Sequence, residues 1–248
     1  MALNISIAAE PVFNIGPLVV TNSLLTTWVI SALLVAFVFW FSRQSLEDKP
    51  KGLSLQNMVE MIIGGLLSFF SQIVGQEKAK KFFPLVTTFF IFILLSNWFG
   101  LLPGVGSLGI WGTHLGEKVL IPLFRAPTAD INTTLALAII SMAMVQFYGL
   151  NALGAKYLKK FLNFSNPVNF SVGILELIGE FTKIISFAFR LFGNIFAGEV
   201  LLTVMAFLLP FIAPLPFLGL EIFVGLIQAL VFTMLTLVFL QMATSEHH

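Results

Sequence analysis

Three features make this chain an all-α membrane protein. Of its 248 residues, 58% are hydrophobic and only 10% are charged, with a mean hydropathy of +0.98. A soluble domain carries about 25% charged residues, so this one lacks the means to cover itself for water. The apolar residues form blocks long enough to cross a hydrocarbon core, for which about 20 helical residues suffice. The polar residues of the C-terminal third recur at helical spacing. The architecture expected is a single membrane domain over 1–248. It has an outer N-terminal segment (1–22), three transmembrane helices, an interfacial amphipathic helix between the first two, and a long, strongly tilted C-terminal helical hairpin.

The N-terminal stretch MALNISIAAEPVFNIGP has neither the basic flank nor the immediate apolar run of a signal peptide, so no cleaved leader is expected. The first span is SLLTTWVISALLVAFVFWF (23–41), stopped by Arg43. Residues 52–76 follow a different pattern. Asn57, Glu60, Gly64, Ser68, Ser71 and Gly75 fall on one stripe, while Met58, Met61, Ile62, Leu66, Phe69 and Ile73 lie away from it. That suits a helix lying in the interface, or packed beside the spans, rather than a fourth crossing. The second span (82–103) places Pro84 in its first turn, where a proline is tolerated, and Pro103 at its end. The third (131–153) follows the polar lead PTAD.

From 169 to 209 there is no proline. A helix of some forty residues spans about 60 Å, twice the ~30 Å hydrocarbon thickness. It must break, leave the membrane or lie far from upright. The turn PFIAPLP leads into a second long apolar arm, 217–244.

Basic residues orient the chain. With the N-terminus outside, nine of them (Arg43, Lys49, Lys51, Lys78, Lys80, Lys81, Lys156, Lys159, Lys160) face the cytoplasm and two (Lys118, Arg125) face out. The hairpin then returns the C-terminus to the cytoplasm. The net charge of +1 offers no basic face to nucleic acid. The chain has no cysteine, hence no thiolate metal site and no thiol nucleophile. It also shows no His/Asp metal cluster, no GxSxG and no phosphate-binding glycine loop. No catalytic residue, cofactor or metal is therefore expected.

On the first arm of the hairpin Glu176, Glu180, Lys183, Arg190 and Asn194 share an arc of about 80°, with Glu199 rotated away. On the second arm, Glu221 and Gln228 share a face. A mid-membrane charge costs about 2.5–3.5 kcal/mol on insertion scales, so this stripe must face protein or water. One reading is structural glue, which fits Glu180 and Lys183, three residues apart. Arg190 resists it. Its i±3 and i±4 neighbours are Phe187, Ser186, Gly193 and Asn194, and a guanidinium does not escape by deprotonating. Its counter-charge must come from another helix or another chain. Gly193 and Gly198 would let a neighbouring backbone approach closely.

RLFGNIFAGE (190–199), PTADINTTLALA (127–138) and NWFGLLPG (97–104) resemble, in order, motifs of subunit a of the F-type rotary ATP synthases, and the resemblance runs from residue 22 onward. It implies a stationary Fo subunit that couples proton movement to ATP synthesis and is not itself an enzyme. Its hairpin would pack against a c-ring of small proteins, each with one mid-membrane carboxylate. Two offset aqueous half-channels would reach that ring, separated by Arg190. Asn194, Glu199, Glu221 and Gln228 would border the outer one; Glu176, and with it Glu180 and Lys183, the inner one. Some relatives carry histidine at the place of Glu221. The implied partners are the c-ring, the peripheral-stalk b subunits, the F1 head through the assembled complex, and the lipid bilayer. The implied location is a bacterial plasma membrane, or an organelle's energy-coupling membrane. The rivals are an ion-coupled secondary transporter, which would show internal repeats, and a purely structural assembly subunit. His114, in the outer loop near Glu117, reads as a solvated side chain.

Overall fold

The computed structural model describes residues 8–44, 54–105, 108–114, 117–161, 166–209 and 212–245. Lys49 and Lys51, assigned above to the cytoplasmic face, lie outside them, as do the side chains of His114, Glu117, Lys118 and Lys159.

The chain enters through a short hairpin, β1 (Pro11–Ile15) and β2 (Leu18–Thr21), antiparallel and turned at Gly16 with φ +59°. Such a φ is natural only for glycine. Thr21 then caps α1 (Asn22–Ser42) by accepting from the Leu24 amide. Only the first turns of α1 are buried, at Asn22, Ser23, Thr26 and Ile30; the rest presents Leu33, Val35, Val38 and Phe39 outward. A second hairpin joins β3 (Gly109–His114) to β4 (Glu117–Pro122). Neither hairpin is foreseen in the sequence, because too few residues alternate to raise a strand signal above the apolar background.

Helix α2 (Leu55–Val74) is capped by Ser54, whose hydroxyl accepts from the Asn57 amide. It packs on α3 and on the last helix, burying Phe70 and Val74. Gly75, at φ +82°, turns the chain straight into α3 (Gln76–Phe99). The expected boundaries, 82 to 103, are corrected at both ends. The helix starts earlier because QEKAKK is made of helix-forming residues and buries Ala79 completely. It ends at Gly100. Pro84 therefore sits well inside the helix and not in its first turn, and Thr88 Oγ1 donates to the Pro84 carbonyl at 2.7 Å.

A turn of 3-10 helix at Pro127–Ala129, fully enclosed, leads into α4 (Ile131–Leu153) with the bounds expected. Asp130 caps it, accepting from the Asn132 amide at 3.0 Å and from Ser23 Oγ of α1 at 2.5 Å. Gly154, at φ +56°, ends it and starts the short α5 (Ala155–Lys159).

The hairpin arms are α6 (Pro167–Leu208) and α7 (Pro214–Thr244). Of the three outcomes open to the first arm, breaking is excluded: α6 is a single helix of 42 residues, about 63 Å long. α7 starts earlier than 217 because Pro214 and Pro216 fit the first helical turn. Residues 210 and 211 of the connecting turn are outside the described residues.

α7 is the axis of the bundle, packing on α3, α6, α4 and α2. The core falls into two apolar clusters, one around Phe89, Ile93, Phe187, Leu191 and Phe232, the other around Phe70, Phe82, Met142, Leu237 and Leu240. Buried hydroxyls on α7 are satisfied within the helix, Thr233 donating to the Ala229 carbonyl and Thr236 to that of Phe232, and Thr236 also meets Ser141 of α4 at 2.8 Å. Among the described residues six helices (α1, α2, α3, α4, α6 and α7) are long and apolar enough to cross a membrane. Their outward Leu, Ile, Val and Phe side chains form a surface far larger than water tolerates.

Candidate functional site

The polar stripe of α6 does not act as one unit: the fold gives its members three different surroundings. Toward the N-terminal half, Glu176 is paired with Lys160 at 2.5 Å and Glu180 with Lys183 at 2.7 Å. Lys183 Nζ also lies over the Phe239 ring of α7 at 4.7 Å. Gln146 of α4 donates to Glu180 Oε2 at 3.0 Å, and Tyr157 of α5 donates to Gln146 Oε1 at 2.7 Å. Neither Gln146 nor Tyr157 stands out in the sequence.

In the middle, Arg190 is exposed. Among the described residues it belongs to none of the three ion pairs, and its guanidinium makes one long contact, donating from Nη2 to Ser186 Oγ at 3.5 Å. Its backbone carbonyl accepts from the buried Gln228 of α7 at 3.4 Å. Asn194, one turn on, is exposed on the same face. A Cβ added at Gly193 would meet nothing within 4 Å among the described residues.

Beyond lies a cavity of about 240 Å³, lined among others by Asn97, Arg125, Glu199, Thr203 and Glu221. Glu199, rotated away from the stripe, faces Arg125 instead. Nε and Nη2 of Arg125 both donate to Glu199 Oε2, each at 3.1 Å. Arg125 is 7% exposed, gives Nη1 to the Ala8 carbonyl at 3.2 Å, and lies 5.8 Å from the Phe196 ring. The buried arginine of this protein is thus Arg125, which in the sequence is only one of two outward charges. Its sole local signal is its place directly ahead of APTAD, a segment that turns out to be buried.

Glu221 is 6% exposed and opposes Gly198 where α6 and α7 cross. Gly198 leaves room for a carboxylate, not for a neighbouring backbone as the sequence reading had it: a Cβ there would collide with the Glu221 carboxyl group. Gly198→Ala is expected to push Glu221 aside, at about 1–3 kcal/mol of overpacking strain, and so to lower heat resistance. Thermal unfolding of the variant beside the unsubstituted protein checks this.

The motif residues Asn97 and Trp98 lock α7 in register beside this cavity. Asn97 Nδ2 donates to the Gly225 carbonyl at 2.8 Å while its Oδ1 accepts from Thr128 at 2.6 Å, and Trp98 Nε1 donates to the Ile222 carbonyl at 3.1 Å. Along α6, Glu180 and Glu199 lie about 15 Å and 14 Å from Arg190, on opposite sides. The arrangement offers two groups of titratable side chains at two levels, with an uncompensated cation between them.

Fold and site together define a multi-pass helical membrane protein with charged side chains set among its long helices. The family model described as ATP synthase A chain matches residues 24–241. Among curated proteins, the chain is 40% identical over 227 residues to ATP synthase subunit a of Desulfotalea psychrophila, covering 90% of this chain and 84% of that one. It is 36% identical over 236 residues to the subunit a of Gloeobacter violaceus, covering 95% and 89%. With the subunit a of Moorella thermoacetica it shares 33% over 232 residues, covering 92% and 93%. The chain belongs to the ATP synthase subunit a family.

Proposed function

We propose that this chain is the stationary wall of the Fo proton path, carrying two offset aqueous half-channels that meet a rotating ring at Arg190. The family makes it a non-catalytic, proton-translocating subunit of the ATP synthase complex, and not a secondary transporter. The observation that carries the finer reading is the state of Arg190: exposed, in none of the ion pairs among the described residues, and flanked by the exposed Phe189 and Asn194. A fixed cation on an apolar face calls for an anion from another chain, and a rotor carboxylate supplies one. Arriving protonated, that carboxyl meets the guanidinium, its pKa falls, and it releases its proton into one half-channel. The same cation keeps protons from passing directly between the channels.

The outer half-channel is bordered by Asn194, Glu199, Glu221 and Gln228, the inner one by Glu176, Glu180 and Lys183. The ring carries its other carboxyls round through lipid in neutral form, because a charge there costs several kcal/mol. Each transferred charge is worth about 2.3 kcal/mol per 100 mV, so several protons combine for one ATP. The b subunits and the F1 head complete the assembly. α6, twice as long as the hydrocarbon core is thick, lies strongly tilted against the ring, and α2 lies in the interface. The excess of basic residues supports an N-terminus outside and a C-terminus in the cytoplasm of a bacterial plasma membrane.

The chain has no cysteine, so single cysteines can report access without background. Thr203, in the outer cavity, and Gly179, where an added Cβ meets nothing, are suitable positions. Thr203→Cys is expected to react with a membrane-impermeant thiol reagent only in right-side-out vesicles, and Gly179→Cys only in inverted ones. Reaction of both from the same side would overturn the two-sided path.

A further inference from the structure

The chain Tyr157–Gln146–Glu180–Lys183 crosses three helices and has a direction. A carboxylate only accepts hydrogen bonds. The Gln146 atom facing Glu180 at 3.0 Å must therefore be the amide nitrogen, and the amide oxygen is left facing Tyr157. The phenol is then obliged to donate, which it does at 2.7 Å. On its other side Glu180 takes a proton donor from Lys183, at 2.7 Å to Oε1. Each carboxylate oxygen has one protein donor and keeps a lone pair for water.

Tyr157 is built in to serve this end. It is 4% exposed, and its ring lies so close over Gly149 of α4 that a Cβ there would sit 2.7 Å from the ring carbons. Phe161 meets the same ring edge-on at 5.6 Å. The residue stands on α5, outside the membrane-length helices. Burial, and after it the charges of Glu180 and Glu176, push the phenol up to about 12. It stays protonated at any working pH and is a permanent donor. Glu180 selects the orientation of Gln146, since a phenol can donate or accept; Tyr157 holds the amide there by donating to its oxygen.

We propose that Tyr157 and Gln146 are positioning residues of the inner proton path, holding the Glu180 carboxylate as a fixed, lysine-bound acceptor at its cytoplasmic side. This rests on the reading of Glu180 as a border of the inner half-channel.

The test is ATP-driven acidification of inverted vesicles carrying the whole ATP synthase, normalised to assembled complex. The variants are Tyr157→Phe, Gln146→Met, Glu180→Gln and the double variant Tyr157→Phe/Glu180→Gln. Tyr157→Phe keeps the ring and removes only the donor, so assembly is retained and pumping falls about three- to tenfold, the scale of one hydrogen bond. Gln146→Met, close in shape, falls as far and carries the test if Tyr157→Phe does not assemble. In the Glu180→Gln background, Tyr157→Phe has no further effect. Normal pumping by Tyr157→Phe and Gln146→Met while Glu180→Gln is slow overturns the assignment. So does a Tyr157→Phe deficit that persists unchanged in Glu180→Gln, since the phenol would then act as packing only. Normal pumping by Glu180→Gln removes the inner-path role of Glu180 itself, and the assignment falls with it.

Discussion

Arg190→Ala is expected to reduce ATP-driven acidification of inverted vesicles to background while the complex still assembles. The two halves of that result have separate physical grounds. Assembly survives because the guanidinium is exposed and its one hydrogen bond, to Ser186, is long at 3.5 Å. Surface substitutions of that kind usually change stability within about 0.5 kcal/mol. The backbone carbonyl that accepts from Gln228 is unchanged by the substitution. On the rotor contact proposed above, pumping is lost because alanine leaves no cation to draw the proton from a rotor carboxyl. With the barrier between the half-channels removed, passive proton permeability of vesicles stripped of F1 is expected to rise. Normal pumping by Arg190→Ala would remove the rotor-contact role; lost assembly would make the arginine a structural pin.

Arg125→Gln is expected to act in the opposite way, lowering the yield and heat resistance of the assembled complex. The Arg125 side chain joins the N-terminal segment at Ala8 and α6 at Glu199, while its backbone amide donates to Thr26 Oγ1 of α1 and is untouched by the substitution. Breaking a fully buried pair costs about 3–5 kcal/mol, most of it the stranded charge. Glu199 is 41% exposed, so water offsets part of that, and about 2–3 kcal/mol is the expected loss. The double variant Arg125→Gln/Glu199→Gln, which strands no charge, should recover stability, with a coupling of about 1–2 kcal/mol between the sites. Thermal inactivation of the purified complex, compared for both singles and the double, measures it. Additive losses would mean that the Arg125 side chain holds the fold through contacts other than Glu199, the one to Ala8 among them.

These two arginines mark how far the site was legible. Arg190 announced itself, because the absence of a carboxylate one turn away is a local fact of one helix. Glu176, Glu180, Lys183 and Asn194 were placed on its face by the same period. The fates of the stripe were not legible: Glu176 found Lys160 at the end of α5, and Glu180 gained Gln146 from another helix. Arg125 was missed outright, since its partner lies 74 residues away. Among the elements, α4 was legible at both ends because Asp130 caps one and Gly154 the other. The start of α3 was not, because its first turns are charged and read as a loop when hydropathy alone sets the boundary.

Membrane residence, the presence of six membrane-length helices among the described residues and the lack of a carboxylate within one turn of Arg190 were determined by the sequence alone. They depend on composition and on the 3.6-residue period, both of which are local. Tertiary structure alone decided which charges neutralise each other, where glycine makes room for Glu221, and which of two arginines is buried. An ion's free energy is set by whatever lies within a few ångströms of it, and in this bundle those neighbours come from distant parts of the chain.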